Sequence, residues 1–294
     1  MNSKITILKT FALRMGAGCA VFLGLALLAP GARAEEWTKS YAVTERPQVR
    51  IHTNDGAVRV YASEGKQIEF RVEYHGYELG KDLKIDARQE GTSIELEAHL
   101  ASRFCVFCIN TNRSLRIEVR MPRAADLTVE TGDGSVESEG IQGRLEIRTG
   151  DGHIGVQGAQ GEIRLRTGDG HIEARGVDGT LEATTGDGHI SVEGRFDVLN
   201  IKTGDGSVEA RIGAGSKMKE GWSIRTGDGR VDVGLPEGLQ ANLDAKTRDG
   251  RISTDFPMTV EGEISKSSVQ GKLNGGGPVL TIRTGDGSVR LHRG

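Results

Sequence analysis

Three sets of residues in this 294-residue chain have the types and spacing to do chemistry. An aspartate recurs inside Thr-Gly-Asp-Gly or a near copy of it, as Asp133, Asp151, Asp169, Asp187, Asp205, Asp228, Asp249 and Asp286. His153, His171 and His189 each follow one of three consecutive copies directly, and Cys105 and Cys108 form Cys-Val-Phe-Cys. A row of carboxylates offers oxygen ligands to Ca²⁺. Imidazoles about 5 Å apart could share Zn²⁺ or Cu²⁺. The cysteine pair could be a disulfide, a redox centre or part of a metal site.

The elements that must position these groups follow from the repeat. Thr131, Thr149, Thr167, Thr185 and Thr203 open copies at one constant interval. Looser copies start at Thr226, at Thr247 (where Arg248 replaces the first glycine) and at Thr284, and an early one reads Thr-Asn-Asp-Gly from Thr53. Within one unit, HIGVQ alternates polar and apolar, Gly-Ala-Gln-Gly interrupts, and EIRLR alternates again, so each unit predicts two short strands and two tight turns. Ile154, Val156, Ile163 and Leu165 then face inward, and later units repeat those columns. Hairpins of an antiparallel meander and coils of a parallel β-solenoid, with about 18 residues per coil, both fit this pattern. Near-identical turns favour the solenoid, because only stacked turns need matching residues in register; nine coils would stack to about 45 Å.

Residues 35–122 alternate less regularly, as in QVRIHT and SLRIEVRM, and are expected to form irregular N-terminal coils of the same single domain. Residues 123–294 are expected to hold the repeat coils, with an insertion or partial cap near 253–279, where Pro257, Pro278 and Gly275 to Gly277 interrupt the pattern. Glycine is 43 of 294 residues and aromatics only 4%. That composition suits a thin, repeated core of small side chains better than one thick core.

A structural role accounts for the aspartates. Stacked at strand spacing, they would repel by about 0.9 kcal/mol per pair in water. A basic residue precedes the threonine in most copies (Arg148, Arg166, Lys202, Arg225, Lys246, Arg283) and is expected to compensate, while the glycines are expected to supply positive φ. Calcium-binding toxin repeats share the coil length but carry Gly-Gly-x-Gly-x-Asp in both turns, which is lacking here. The position after the turn drifts from His to Ser135, Ser207, Arg230, Arg251 and Ser288, as on a solvated face. The expected metal and cofactor content is therefore none, with His153, His171 and His189 the candidates if a metal binds. Cys105 and Cys108 are expected to be bridged at a loop tip in an oxidising compartment.

That compartment is read from residues 1–34. Lys4, Lys9 and Arg14 precede the apolar run Gly16 to Leu28, and Ala32-Arg33-Ala34 has the form of a signal-peptidase site. Cleavage near Ala34 would release a periplasmic or secreted protein. Losing four basic residues takes the formal net charge from −3 to −7, which provides no electrostatic footprint for nucleic acid. No later stretch has the length of a membrane-spanning apolar segment. No nucleophile elbow, zinc-protease helix or phosphate loop is present, so no catalytic residue is assigned and the protein is not expected to be an enzyme.

The run LRIEVRMPRAADLTVETGDGSVESEG, the Thr-Gly-Asp-Gly series and LPEGLQANLDAKTRDGRI resemble the bacterial putative-adhesin family of exported β-strand-repeat domains. The likeness spans roughly residues 45–294. It implies a right-handed parallel β-helix at the cell envelope and assigns no catalytic residues. The expected function is a non-enzymatic scaffold whose outward rows, including Glu146, Arg164 and Glu173, bind an extended polysaccharide or an envelope protein. A polysaccharide-processing β-helix enzyme and a metal module on the His or Asp row are the alternatives. Trp37 and Trp222 are the only tryptophans available to pack on sugars.

Overall fold

In the computed structural model the described residues are 35–101, 113–260 and 265–294. Cys105 and Cys108, and the signal sequence with its cleavage site, lie outside them. The described strands fall within one unit, Ala34–Gly294.

The irregular first part holds β1 (Glu35–Ala42), β2 (Gln48–Thr53), β3 (Ala57–Ser63), β4 (Gln67–His75), β5 (Leu83–Glu90), β6 (Ser93–Leu100) and β7 (Ser114–Pro122). The regular coils hold β8 (Asp126–Thr131), β9 (Val136–Glu139), β10 (Gln142–Arg148), β11 (Ile154–Gln157), β12 (Gln160–Arg166), β13 (Ile172–Thr184), β14 (Ile190–Lys202), β15 (Val208–Ile212) and β16 (Trp222–Arg225). Last come β17 (Val231–Leu235), β18 (Ala241–Thr247), β19 (Ile252–Thr254), β20 (Met258–Val260), β21 (Ser268–Leu273), β22 (Val279–Thr284) and β23 (Val289–Arg293).

Alternation of apolar and polar residues puts every second side chain inside. Parallel pairing stacks them: Val129 on Ile147, then Leu165, Ala183, Ile201, Ile224 and Ile282. The members of this column are at most 2% exposed. Through the regular coils the register repeats from one copy of the motif to the next, as in Ile154↔Ile172 and Ile172↔Ile190. Hairpin pairing would have made these contacts antiparallel, so the meander is excluded there and the architecture is all-β and solenoid-like. Phe196 and Trp222 fill the core where the coil enlarges; Trp222 is 1% exposed and its indole N–H donates to the Asp197 carbonyl at 3.3 Å.

The layers do not follow chain order at either end. β2 and β3 lie between the β6–β7 coil and the β8–β9 coil. At the other end β22 pairs with both β16 and β18, and β23 with both β17 and β19. The last coil of the chain is thus inserted one layer in from the end. Antiparallel strands close the outside: β5 on β6, β4 on β7 and β1 on β4 at one end, β21 on β18 and β20 on β21 at the other. These strands cover edges that would otherwise offer unpaired backbone groups to another chain.

Candidate functional site

The repeated turn is a corner in which threonine, not aspartate, makes the bonds. Strand parity puts the threonine inward, and Thr53, Thr131, Thr149, Thr167, Thr185, Thr203, Thr226, Thr247 and Thr284 are all buried. The Thr185 hydroxyl donates to the carbonyls of Gly168 at 3.1 Å and Gly170 at 2.9 Å in the preceding coil. It also accepts the Gly188 N–H of its own turn at 3.3 Å. Thr149, Thr167, Thr203 and Thr226 bind the carbonyls of the coil before them in the same way. The latch fails at Thr131, whose buried hydroxyl has no hydrogen-bond partner among the described residues; it faces the irregular Asn54–Gly56 turn.

The turn glycines correct one expectation. None of those in the regular Thr-Gly-Asp-Gly copies has positive φ; that conformation belongs to Gly56 and to the opposite corner, at Gly140, Gly158 and Gly176. Close approach is what the repeat glycines provide. A Cβ on Gly188 would overlap the Gly170 carbonyl of the coil before it. Arg248 is tolerated because its turn stands further off: its N–H donates to Gly285 O at 2.9 Å, whereas the Gly285 N–H donates to Gly227 O at 2.5 Å.

The aspartates are exposed, with short side chains lying against the next turn; Asp187 Oδ1 is 2.9 Å from where a Gly204 Cβ would stand. Arg248 binds Asp286 at 2.7 Å. The basic residues ahead of the threonines do not compensate the row, which corrects a second expectation. Arg148 pairs with Glu130 at 3.2 Å and with Glu146, Arg166 with Glu182 at 2.6 Å, and Arg283 with Asp244. These cations point out from the strand face, where the neighbouring outward acids reach them before the corner aspartates do.

Thr185→Val should lower stability by about 1–3 kcal/mol, because the isosteric side chain leaves the Gly170 carbonyl and the Gly188 N–H without this partner, while the Gly168 carbonyl keeps only the Gly186 N–H. Asp187→Asn should fall within about 0.5 kcal/mol of the parent, as expected for a solvated group. Thermal melts of both variants check this; equal losses would restore the bonding role to aspartate.

His153, His171 and His189 stand in a row one coil apart. The His189 backbone N–H donates to His171 Nδ1 at 3.1 Å, and His189 Nδ1 lies 2.7 Å from Ser207 Oγ. The rings of His171 and His189 therefore spend Nδ1 on coil-to-coil contacts. Among the described residues, no three His, Cys, Asp or Glu are grouped so as to hold a metal ion. Beside this row, Gly155 sits between Glu137 and Glu173, and its missing side chain leaves a depression of about 180 Å³. Arg59 binds Glu137 at 3.0 Å and Arg175 binds Glu173, so two of the three acids lining the depression, Glu137, Glu139 and Glu173, are already paired.

On another face, Asp244 is the acid that sequence reasoning passed over. Burial works to raise its pKa, but hydrogen bonds from Arg283 and Gln270, with the charges of Arg283 and Lys246, hold it below the usual carboxylate value. A depressed carboxylate stabilises the fold above its unfolded pKa and loses that contribution as pH falls through the folded one. Asp244→Asn should therefore flatten the fall in melting temperature below about pH 4. An unchanged acid limb would show that the pair contributes nothing.

A chain-long stack of this kind, with a repeated corner and no converging catalytic group among the described residues, is matched by one family over residues 47–292. The chain belongs to the Toastrack DUF4097 family. No curated protein matches the chain. Among solved structures it is similar to a putative lipid binding protein from Parabacteroides distasonis ATCC 8503 (13% identity, 87% of this chain and 96% of that one, TM-score 0.49). It is also similar to a putative adhesin from Bacteroides fragilis NCTC 9343 (10%, 89% and 98%, TM-score 0.42) and to one from Parabacteroides merdae ATCC 43184 (11%, 87% and 95%, TM-score 0.43). Among the described residues no helix is long and apolar enough to cross a membrane.

Proposed function

We propose that this family member is an exported, non-enzymatic scaffold of the cell envelope, binding an extended partner along its outward rows. In this reading it is a right-handed solenoid with about 18 residues per coil in its regular part. The observation that carries the reading is registry. Parallel pairing sets equivalent outward residues in straight rows, for example Glu146, Arg164 and Glu182, about 4.8 Å apart. Such a surface repeats along one direction, which suits a polymer better than a compact substrate. Export to the periplasm or beyond rests on the sequence of residues 1–34.

The test is binding of the chain from Glu35 to a panel of glycans and to proteins extracted from the envelope, with thermal melts in the presence of Ca²⁺, Zn²⁺ and Cu²⁺. Saturable binding of one polymer or envelope protein, with melting unmoved by the ions, supports the scaffold. Cleavage of a bound glycan would instead establish the enzyme, and a rise in melting temperature with one ion alone would establish the metal module.

A further inference from the structure

We propose that the face built by β14, β16, β22 and β18 binds an acidic polysaccharide, a chain of sugars bearing carboxylates. The proposal rests on the scaffold reading and names its ligand class. Two parallel rows and one exposed valine at the edge of this face support it. Along the corner, Lys202, Arg225, Arg283 and Lys246 are successive β-partners, although like charges directly opposite on neighbouring strands disfavour the sheet. The fold does not require cations there, because Glu130 and Thr184 occupy the equivalent position in earlier coils.

The second row explains why two of these cations are free. In earlier coils it carries Glu146 and Glu182, which bind Arg148 and Arg166. On this face it becomes Asn200, Ser223 and Thr281, ending at Asp244, which takes Arg283 and Lys246. Lys202 and Arg225 are exposed and have no acidic partner among the described residues. The side chains of Asn200, Ser223 and Thr281 likewise make no hydrogen bond there. Beyond them, at the edge, Val279 is 45% exposed.

Cation, hydroxyl or amide, and exposed aliphatic surface correspond in order to the carboxylate, the hydroxyls and the C–H groups of a sugar acid. Guanidinium groups bind carboxylates in a fixed two-point geometry. A pyranose ring is about as long as one coil step of about 4.8 Å, so successive sugars could meet successive coils. Trp222 lies under this face, buried, and offers no ring for stacking on bases, which argues against single-stranded nucleic acid.

The experiment is titration of the chain from Glu35 with polygalacturonate, neutral dextran and single-stranded DNA at low and high salt. The parent should bind polygalacturonate, more weakly as salt rises, and should not bind dextran. Lys202→Glu with Arg225→Glu should weaken binding at least roughly tenfold. Lys66→Glu with Lys84→Glu, an equal charge change at exposed sites in the N-terminal part, should leave it within about twofold. Circular dichroism melts confirm folding, and the milder Lys202→Gln with Arg225→Gln pair serves if the reversal does not fold. No binding of polygalacturonate, equal losses in both charge reversals, or equally tight DNA binding overturns the proposal. Binding of a neutral glycan or an envelope protein without polygalacturonate would overturn this inference while leaving the scaffold standing. Binding of nothing in either experiment removes both.

Discussion

Deleting residues 279–294 is expected to unfold more than the coil it removes. In a solenoid stacked in chain order, loss of the last coil would strip one layer and leave the one beneath it intact. Here β22 and β23 lie between β16–β17 and β18–β19. Leu280, Ile282, Val289 and Leu291 are fully buried, and each such side chain contributes about 1.5–3 kcal/mol of burial. Without them β18 loses its only parallel partner among the described residues, and β20 and β21, which are paired to the stack through β18, lose their foundation. Hydrogen exchange should show protection lost across residues 241–278, with the coils up to β14 still protected. Retained protection in β18 and β21 would mean that the outer layer re-seats on β16 by itself.

The second large effect is expected from Gly188→Ala. The added methyl would meet the backbone carbonyl of Gly170 rather than a movable side chain, so the coils must separate at the point where Thr185 latches them. We expect a loss of about 3 kcal/mol or more, the upper end for overpacking. Gly158→Ala is the informative partner. Its φ of +65 imposes a conformational cost, yet a Cβ there meets nothing within 4 Å, so the loss should be about 1 kcal/mol. Chemical denaturation of the two variants separates close approach from backbone conformation as the reason for glycine. Equal losses would mean that close approach to the preceding coil adds nothing at Gly188 beyond an ordinary glycine replacement.

Much of the fold was legible because a fixed period leaves few solutions. Identical turns at one constant interval, with two alternating stretches between them, favour stacked strands, whereas the inward threonine column was not read from them. The roles inside the corner were harder to read. Aspartate, the charged residue, drew the chemical expectation, yet the neutral hydroxyl makes the bonds, because it is the group that strand parity buries. Glycine was read as a conformational device because sequence shows one coil at a time, whereas the constraint on Gly188 comes from the carbonyl of the preceding coil.

The proposed binding face shows the same limit more sharply. Asn200, Ser223 and Thr281 form one row, but Ser223 follows Asn200 after a longer coil and Thr281 lies on a strand inserted out of order. No periodicity connects them. The sequence by itself determined the strand alternation and favoured the parallel stacking of the regular coils, because these are local or repeat at one interval. Only the tertiary structure decided the order of the end layers and therefore which cations stand beside neutral partners, because that order depends on long-range closure of the stack.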